Sequence, residues 1–337
     1  MKSVAIVGAS GYTGRELLTL LERHRHLRAT VVMTARAGAA PEPPAFPGEP
    51  SIDALDLGRL AHVDGVFLCT PHGAASSIAA AALQLGKKVV DLSADFRLRD
   101  PAVYASTYGS PHPAPDLLQQ AVYGLTEHAR DAVRGARLVA NPGCYPTSIL
   151  LPLLPLLAAG QIDAEAPIIA DSKSGTSGAG KAPGERTHFG NVHENFVAYG
   201  VGTHRHAPEI HQAAGTDRIV FTPHLLPTFR GILSTIYVTP APGASAATMR
   251  ACLAERYAAE PFVRVYGPTG SGQSGPDPRL PELRLVQHTN QNHLAVAASG
   301  PLVVLVSVID NLQKGASGQA LQNMNLMLGL AEAEGLR

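Results

Sequence analysis

The chain has 337 residues, no tryptophan, and equal numbers of basic and acidic side chains, 27 of each. This length points to about two domains, and zero formal charge excludes binding to nucleic acid or a membrane surface through bulk charge. The three cysteines, Cys69, Cys144 and Cys252, are odd in number and far apart, which excludes a disulfide scaffold and favours a reduced, cytoplasmic setting.

The chain opens as strand, glycine turn, helix and strand: residues 4–7, 8–14, 15–24 and 30–34. The apolar start stops at Gly8, and the longest apolar run, 149–158, holds two prolines. Neither approaches the ~20 apolar residues of a membrane span. A loop with five prolines follows at 37–50. A strand is expected at 66–69, a helix at 74–85, a strand at 88–92 and a last strand at 138–140. Strands alternating with helices predict a parallel, doubly wound α/β sheet. After Asn141-Pro142-Gly143-Cys144 a helix is expected to about 159, with Pro146 tolerated in its first turn. The remainder is rich in β-branched runs at 168–172, 219–224, 231–239, 294–298 and 302–309, which suits an α+β domain. A Gly/Pro/Ser-rich loop spans 267–281, and a closing helix is expected from about 316 to 334.

The turn Gly8-x-x-Gly11-x-x-Gly14 lies between a strand and a helix. Glycines there let the backbone approach a pyrophosphate, whose charge meets the helix N-terminus. A tight turn without a ligand would share the pattern; the flanks and the βαβ continuation favour a dinucleotide. Gly8, Ser10, Gly11, Tyr12, Thr13 and Gly14 form the expected cradle, with Thr70 and Ser93 at the ends of later strands. The second strand ends Met33-Thr34-Ala35-Arg36 with no acidic residue to take a ribose hydroxyl. Arg36 could instead pair with a 2′-phosphate, which favours NADP.

Cys144 precedes a strongly apolar helix. A thiol at a helix N-terminus feels the positive dipole end, which favours thiolate, and the adjacent amides could hold an oxyanion. Cys69 and Cys252 read as packing residues. The segment His204-Arg205-His206-Ala207-Pro208-Glu209 adds a histidine and a carboxylate three residues apart, able to meet if Ala207 starts a helical turn. Thiolate and oriented histidine together make a covalent acyl or aldehyde site. His188, His193, His204, His206 and His211 lie close in sequence, but without HExxH or CxxC spacing no metal site is expected.

These segments resemble the N-acetyl-γ-glutamyl-phosphate reductase family (type 1) of arginine biosynthesis over essentially the whole chain. The resemblance is carried by Asn141-Pro142-Gly143-Cys144-Tyr145-Pro146-Thr147, Ser174-Gly175-Thr176-Ser177-Gly178-Ala179-Gly180 and the run from Tyr199 to Ile210. Asp91-Leu92-Ser93-Ala94-Asp95-Phe96-Arg97 and Asp310-Asn311-Leu312-x-Lys314-Gly315-Ala316 also fit. It implies a Rossmann-type dinucleotide-binding domain over 1–141, completed by a C-terminal helix at 312–337. A semialdehyde-dehydrogenase-like α+β catalytic and dimerisation domain would cover 142–311. It implies Cys144 as nucleophile, His206 as acid/base with Glu209 as its partner, and Asn311, Lys314 and Gly315 near the nicotinamide. Expected substrate-phosphate contacts are Arg97, Ser174, Gly175, Lys181 and Arg205. The implied activity is NADPH-dependent reduction of an acyl phosphate through a thioester, in a homo-oligomer, dimer or tetramer. Two positions depart from the family pattern: Ser148 follows Thr147 where glycine or alanine is common, and Lys181 stands alone where a basic pair is common. Three alternatives stay open. They are the sister reductase of carrier-bound α-aminoadipyl phosphate in lysine biosynthesis, aspartate-semialdehyde dehydrogenase, and a catalytically silent NADP-binding redox sensor.

Overall fold

In the first 143 residues, short apolar runs are buried on both faces, as parallel strands under helices require. The computed structural model describes residues 1–35, 38, 40–44, 48–267 and 280–337. Two units form, Met1–Gly143 with Ala316–Arg337, and Cys144–Gly315. The first contains β1 (Lys2–Val7), α1 (Tyr12–Glu22), β2 (Leu27–Met33), β3 (Gly65–Leu68), α2 (Ala75–Gln84) and β4 (Lys88–Asp91). It continues with α3 (Pro101–Tyr108), α4 (Pro115–Gln120), β5 (Val122–Tyr123), α5 (Thr126–Gly135) and β6 (Leu138–Ala140). The strands pair in parallel in the order β2-β1-β3-β4-β6-β5. The order reverses between β1 and β3, and in such sheets a ligand binds at that switch point. The glycine turn after β1 lies there.

The second unit contains α6 (Cys144–Ala158), β7 (Ile168–Ser174), α7 (Phe189–Val192), β8 (Val197–Ala198), α8 (His206–Ala214) and β9 (Ile219–Leu225). Then come β10 (Ile232–Val238), α9 (Ala246–Arg256), β11 (Val263–Val265), β12 (Asn292–Ser299) and β13 (Leu302–Ile309). The seven strands form a mixed sheet in the order β11-β12-β13-β10-β7-β9-β8. Burial alternates along β7, β9 and β10. One face is therefore covered by α6, while the other leaves Ile169 43% and Val220 53% exposed.

Helix α6 contains Pro152 and Pro155 in its interior, and each removes an amide that would bond the carbonyl four residues earlier. The carbonyl left bare by Pro155 is that of Leu151, and the Tyr257 hydroxyl donates to it at 2.5 Å. A side chain thus replaces the missing main-chain donor.

The last helix, α10 (Gly318–Met327), follows a π-helical turn at Gln313–Ser317. It packs in the first unit, where a Cβ on Gly65 would lie 2.7 Å from Met324 Sδ. It is shorter than expected. Gly329 turns left-handed at φ +69°, and the Asn325 amide donates to the carbonyls of Glu332 and Glu334 at 3.2 and 2.9 Å. Residues 328–337 therefore fold back as turns. The units divide at Gly143/Cys144 and Gly315/Ala316, a few residues from the expected 141/142 and 311/312. The reason is that Asn141 is bonded into the first unit and Gly315 abuts Cys144 in the second. The two-residue strand β5 was not visible in the sequence, and most of the loop at 267–281, together with Arg36, lies outside the described residues.

Tyr257→Phe keeps the ring but strips the Leu151 carbonyl of its donor. It is expected to lower stability by about 1–3 kcal/mol, the cost of an unsatisfied buried acceptor. Urea unfolding of the variant against the parent measures this.

Candidate active site

The three glycines of the first turn have different reasons for lacking a side chain. Gly8 sits at φ +91°, and a Cβ there would lie 2.2 Å from the Cys69 carbonyl oxygen. A Cβ on Gly14 would lie 2.5 Å from Ala9 Cα. Both are demanded by the fold. Gly11 has φ −76°, open to any residue, and among the described residues its Cβ would meet only the Gly8 carbonyl oxygen, at 3.5 Å. No side chain caps α1 there. The protein leaves this space open at a helix N-terminus, where a pyrophosphate fits. Thr70, at the end of β3, adds a buried hydroxyl with no hydrogen-bond partner among the described residues. The Thr13 main chain is tied to the start of α10, its carbonyl accepting from the Ser317 hydroxyl at 2.9 Å.

At the end of β2, Thr34 N donates to the Asp53 carbonyl and Asp53 N to the Val32 carbonyl, both at 2.9 Å. A carboxylate twenty residues downstream, unseen in the sequence reading, is thus brought beside the strand end. It is already paired with Arg59, 2.5 Å away.

The loop after β4 is built on buried polar groups. The Ser93 hydroxyl donates to Asp91 at 2.8 Å and accepts from Asp95 N at 3.1 Å, so it braces its own loop. The Asp95 carboxylate accepts from Gly73 N and Ala75 N at 2.7 and 2.9 Å, holding the start of α2. Burial, and then the charge of Asp95, pushes the Asp91 carboxyl up to about 7. Arg97 is buried and donates to the carbonyls of Asn141 and Leu92, both at 2.9 Å. The guanidinium expected to meet phosphate therefore spends two of its five donors on main chain.

Asn141 N donates to the Asp91 carbonyl at 2.8 Å, and its amide donates to the Ala316 carbonyl at 3.1 Å. Its side-chain oxygen accepts from Asn323 at 3.2 Å. Asn323 in turn accepts from Thr126 at 2.8 Å and donates to the Gly124 carbonyl at 2.9 Å. The sequence reading quoted Asn141 only as part of a motif and passed over Asn323. An isolated asparagine in a helix carries no signal of what it bonds.

In the second unit Cys144 is the first residue of α6. A Cβ on Gly315 would lie 2.8 Å from that of Cys144, so glycine is required for the two segments to meet. The neighbouring Tyr145 hydroxyl is 3.0 Å from that of Tyr199 and donates to the His224 carbonyl at 3.2 Å. Its ring lies edge-on to His204 and His206, with centroids 5.7 and 5.9 Å away. Burial, and then Tyr199, pushes the Tyr145 phenol well up. Negative charge at Cys144 raises both phenols further, which places the thiol within electrostatic reach of the pair.

His206 begins α8, one residue earlier than expected, with Pro208 in the first turn. Both His206 and Glu209 are buried. At a spacing of three they share one helix face. A helix N-terminus disfavours a cation, and Glu209 places a carboxyl group on the same face as the His206 ring. His206 N donates to His204 Nδ1 at 3.1 Å, which leaves the ring proton of His204 on Nε2. Burial, then the charge of Arg205, holds His204 down at about 4. The two neighbouring histidines therefore have unequal roles, and His204 stays neutral. Cys69 is the opposite of a nucleophile: burial pushes its thiol up to about 12. Burial likewise raises Cys252.

The remaining expected residues separate. The Ser174 hydroxyl donates to the Gly175 carbonyl at 3.1 Å and also reaches the Tyr145 phenol. Gly175 packs directly on the main chain of Phe229 and Arg230. Asn311 accepts from Gly231 N at 2.6 Å and donates to Ser177 at 2.9 Å, bracing the same loop. Lys314 is fully buried, its ammonium 5.8 Å from the Phe262 ring centre. Lys181 and Arg205 are exposed. A cation that the sequence reading missed, Arg230, is buried beside the 174–180 loop and paired with Asp310 at 3.0 Å.

A glycine turn on a parallel sheet, and a helix-start cysteine whose neighbour Tyr145 lies edge-on to a histidine sharing a helical turn with a carboxyl group, define a class. A family model described as semialdehyde dehydrogenase, NAD binding domain, matches residues 3–136. Another, described as semialdehyde dehydrogenase, dimerisation domain, matches residues 144–311. The chain therefore belongs to the semialdehyde dehydrogenase family and is an enzyme that binds a nicotinamide dinucleotide. A relative from Desulforudis audaxviator strain MP104C is 48% identical over all of this chain and 98% of its own length. One from Halorhodospira halophila is 46% identical over the same shares. Both are named N-acetyl-γ-glutamyl-phosphate reductase, and it is to this branch of the family that the chain belongs. Aspartate semialdehyde dehydrogenase II from Vibrio cholerae, solved in complex with ASA, shares the fold at 17% identity. Its TM-score is 0.71, covering 98% of each chain. Among the described residues no helix is long and apolar enough to cross a membrane.

His204 generates a pH prediction. An unfolded histidine takes its proton near 6.5, whereas folded His204 waits until about 4. Between these values the unfolded chain binds more protons, so this contribution is intact above 6.5 and is lost as pH falls toward 4. His204→Gln is expected to flatten that part of the melting temperature against pH curve. A variant with the parent's slope there would remove His204 as its source.

Proposed function

We propose that the protein reduces N-acetyl-γ-glutamyl phosphate to the 5-semialdehyde, releasing phosphate, with NADPH as the reductant. The observation that carries this reading is the juxtaposition of Cys144, Tyr145 and His206 around the starts of two helices, α6 and α8. The relatives named for this reductase activity support the choice of acyl phosphate.

The Cys144 thiolate attacks the acyl carbon, forming a C–S bond. As the C–O bond to phosphate breaks, the phosphate leaves with the electron pair and takes its proton from solvent. The amides at the start of α6 hold the oxyanion. Gly8, Gly11 and Gly14 would hold the dinucleotide, and a reduced nicotinamide, when bound, would supply the hydride, and with it the two electrons, that reduction of the thioester to the aldehyde requires. When the carbonyl re-forms and the C–S bond breaks, His206 returns a proton to the departing sulfur, with Glu209 balancing its charge. The Ser174–Gly175 loop, with Lys181 and Arg205, forms the phosphate subsite in this reading. A thiolate mechanism requires a reducing compartment, which favours the cytoplasm. The half-exposed apolar face of the second sheet, in a domain whose family model is described as dimerising, favours a homo-oligomer.

Cys144→Ser is expected to bind NADPH normally and to lose turnover by about 10³-fold or more. The assay is phosphate-dependent NADP reduction with free N-acetylglutamate semialdehyde, run beside the carrier-bound aminoadipate semialdehyde. Near-parent turnover would sink the nucleophile, and a preference for the carrier-bound substrate would sink the substrate assignment. Arg36→Ala is expected to raise KM for NADPH by roughly tenfold or more with little change for NADH, as loss of a phosphate-pairing guanidinium should. Equal effects on both cofactors would refute a 2′-phosphate contact.

A further inference from the structure

Three buried serines connect the nucleophile helix to the centre of the second sheet. The Ser148 hydroxyl donates to the Tyr145 carbonyl at 3.0 Å and lies 2.8 Å from the Ser234 hydroxyl. Ser234 lies 2.7 Å from the Ser172 hydroxyl. All three side chains are fully buried. Each hydroxyl has one proton to give. Ser148 spends its proton on Tyr145, so it accepts from Ser234, which accepts from Ser172. The chain thus has one sense, from sheet to helix, and each bond polarises the next. Ser172 and Ser234 are register partners on β7 and β10, in the interior of the seven-stranded sheet.

This connection matters because it adds a bond to the first turn of α6, beyond which the helix ladder is broken. Pro152 removes the amide that would bond the Ser148 carbonyl, and Pro155 the one for Leu151. Pro146 has no N–H in the first turn. The Tyr257 hydroxyl supports Leu151, and the serine chain supports Tyr145, the residue next to Cys144. We propose that Ser148, backed by Ser234 and Ser172, is a positioning residue for the Cys144 sulfur. By tying the first turn of α6 to the sheet it sets how closely the sulfur and the developing oxyanion approach the helix-start amides. This rests on Cys144 being the nucleophile.

The experiment measures Cys144 alkylation by iodoacetamide against pH, localised by mass spectrometry, with kcat and KM, in Ser148→Ala, Ser234→Ala and Ser172→Ala. Ser148→Ala is expected to move the alkylation midpoint up by about half a pH unit or more. It should lower kcat about fivefold, with KM within about twofold. Ser234→Ala should act in the same direction but less, Ser172→Ala least. The double variant Ser148→Ala/Ser234→Ala should be no worse than Ser148→Ala alone. A lowered melting temperature with parent-like alkylation midpoint and kcat would overturn the proposal, as would a reversed order along the chain. If Ser148→Ala does not fold, Ser234→Ala, which keeps the Ser148 bond to Tyr145, decides on the same two readouts. Turnover surviving in Cys144→Ser would instead refute the nucleophile itself, a different outcome from an unmoved midpoint.

Discussion

A thiol at the start of a helix gains from the amides there only while the helix start stays where it is, and in α6 the ladder beyond that start is broken twice. Its prolines at 152 and 155 remove donors from the ladder, each loss costing about 3 kcal/mol if left alone. The Tyr257 hydroxyl makes good the Leu151 carbonyl, and Ser148 adds a bond to that of Tyr145 in the first turn. On the other side of Cys144 in the chain, Arg97 and Asn323 hold Asn141 from two directions. The same prolines that weaken the helix also make it apolar and stiff. It can lie against the sheet with few polar groups to satisfy.

This constraint also explains why the cysteines differ. A thiol at the end of a buried strand, Cys69, is driven toward its neutral form by burial with no helix amides to offset it. Cys252, inside a helix, faces burial and the nearby Glu255. Cys144 alone of the three starts a helix. Around it are two phenols, a neutral histidine, and a second histidine sharing a helical turn with a buried carboxylate. His204 stays neutral beside His206 because it is buried next to Arg205. His206, by contrast, shares its helical turn with the buried carboxyl group of Glu209.

Much of the fold was legible in the sequence because its signals are local. The glycine turn, the apolar strands and the helix after Pro-Gly-Cys each depend on residues within a few positions of one another. The histidine–carboxylate pair was legible for the same reason, being one helical turn apart. Residues whose role comes from distant partners were not legible. The bonds of Arg97 to the carbonyls of Asn141 and Leu92 leave no mark in the sequence, where it stands as an expected phosphate contact. Arg230, Asn323 and Tyr257 gave no signal, since a lone buried polar residue becomes meaningful only when its partner is known. Ser148 did stand out in the sequence as a departure from the family pattern, but the hydroxyls it joins lie 24 and 86 residues away in the chain. The last helix was read as too long because the amide of Asn325, capturing two later carbonyls, ends it against its own periodicity.

The glycines of the first turn have a consequence for how the protein could lose its function. Gly8 and Gly14 are locked by contacts within the protein, so change there damages fold and binding together. Gly11 has an ordinary backbone conformation, and among the described residues its Cβ would meet only the Gly8 carbonyl oxygen at 3.5 Å, so a bound dinucleotide, and not the described fold, is what would forbid a side chain there. A descendant of this chain released from cofactor binding would be free to change Gly11 first while keeping its neighbours. The identity of that one residue would then separate a folded relative that still binds dinucleotide from one that has become a scaffold.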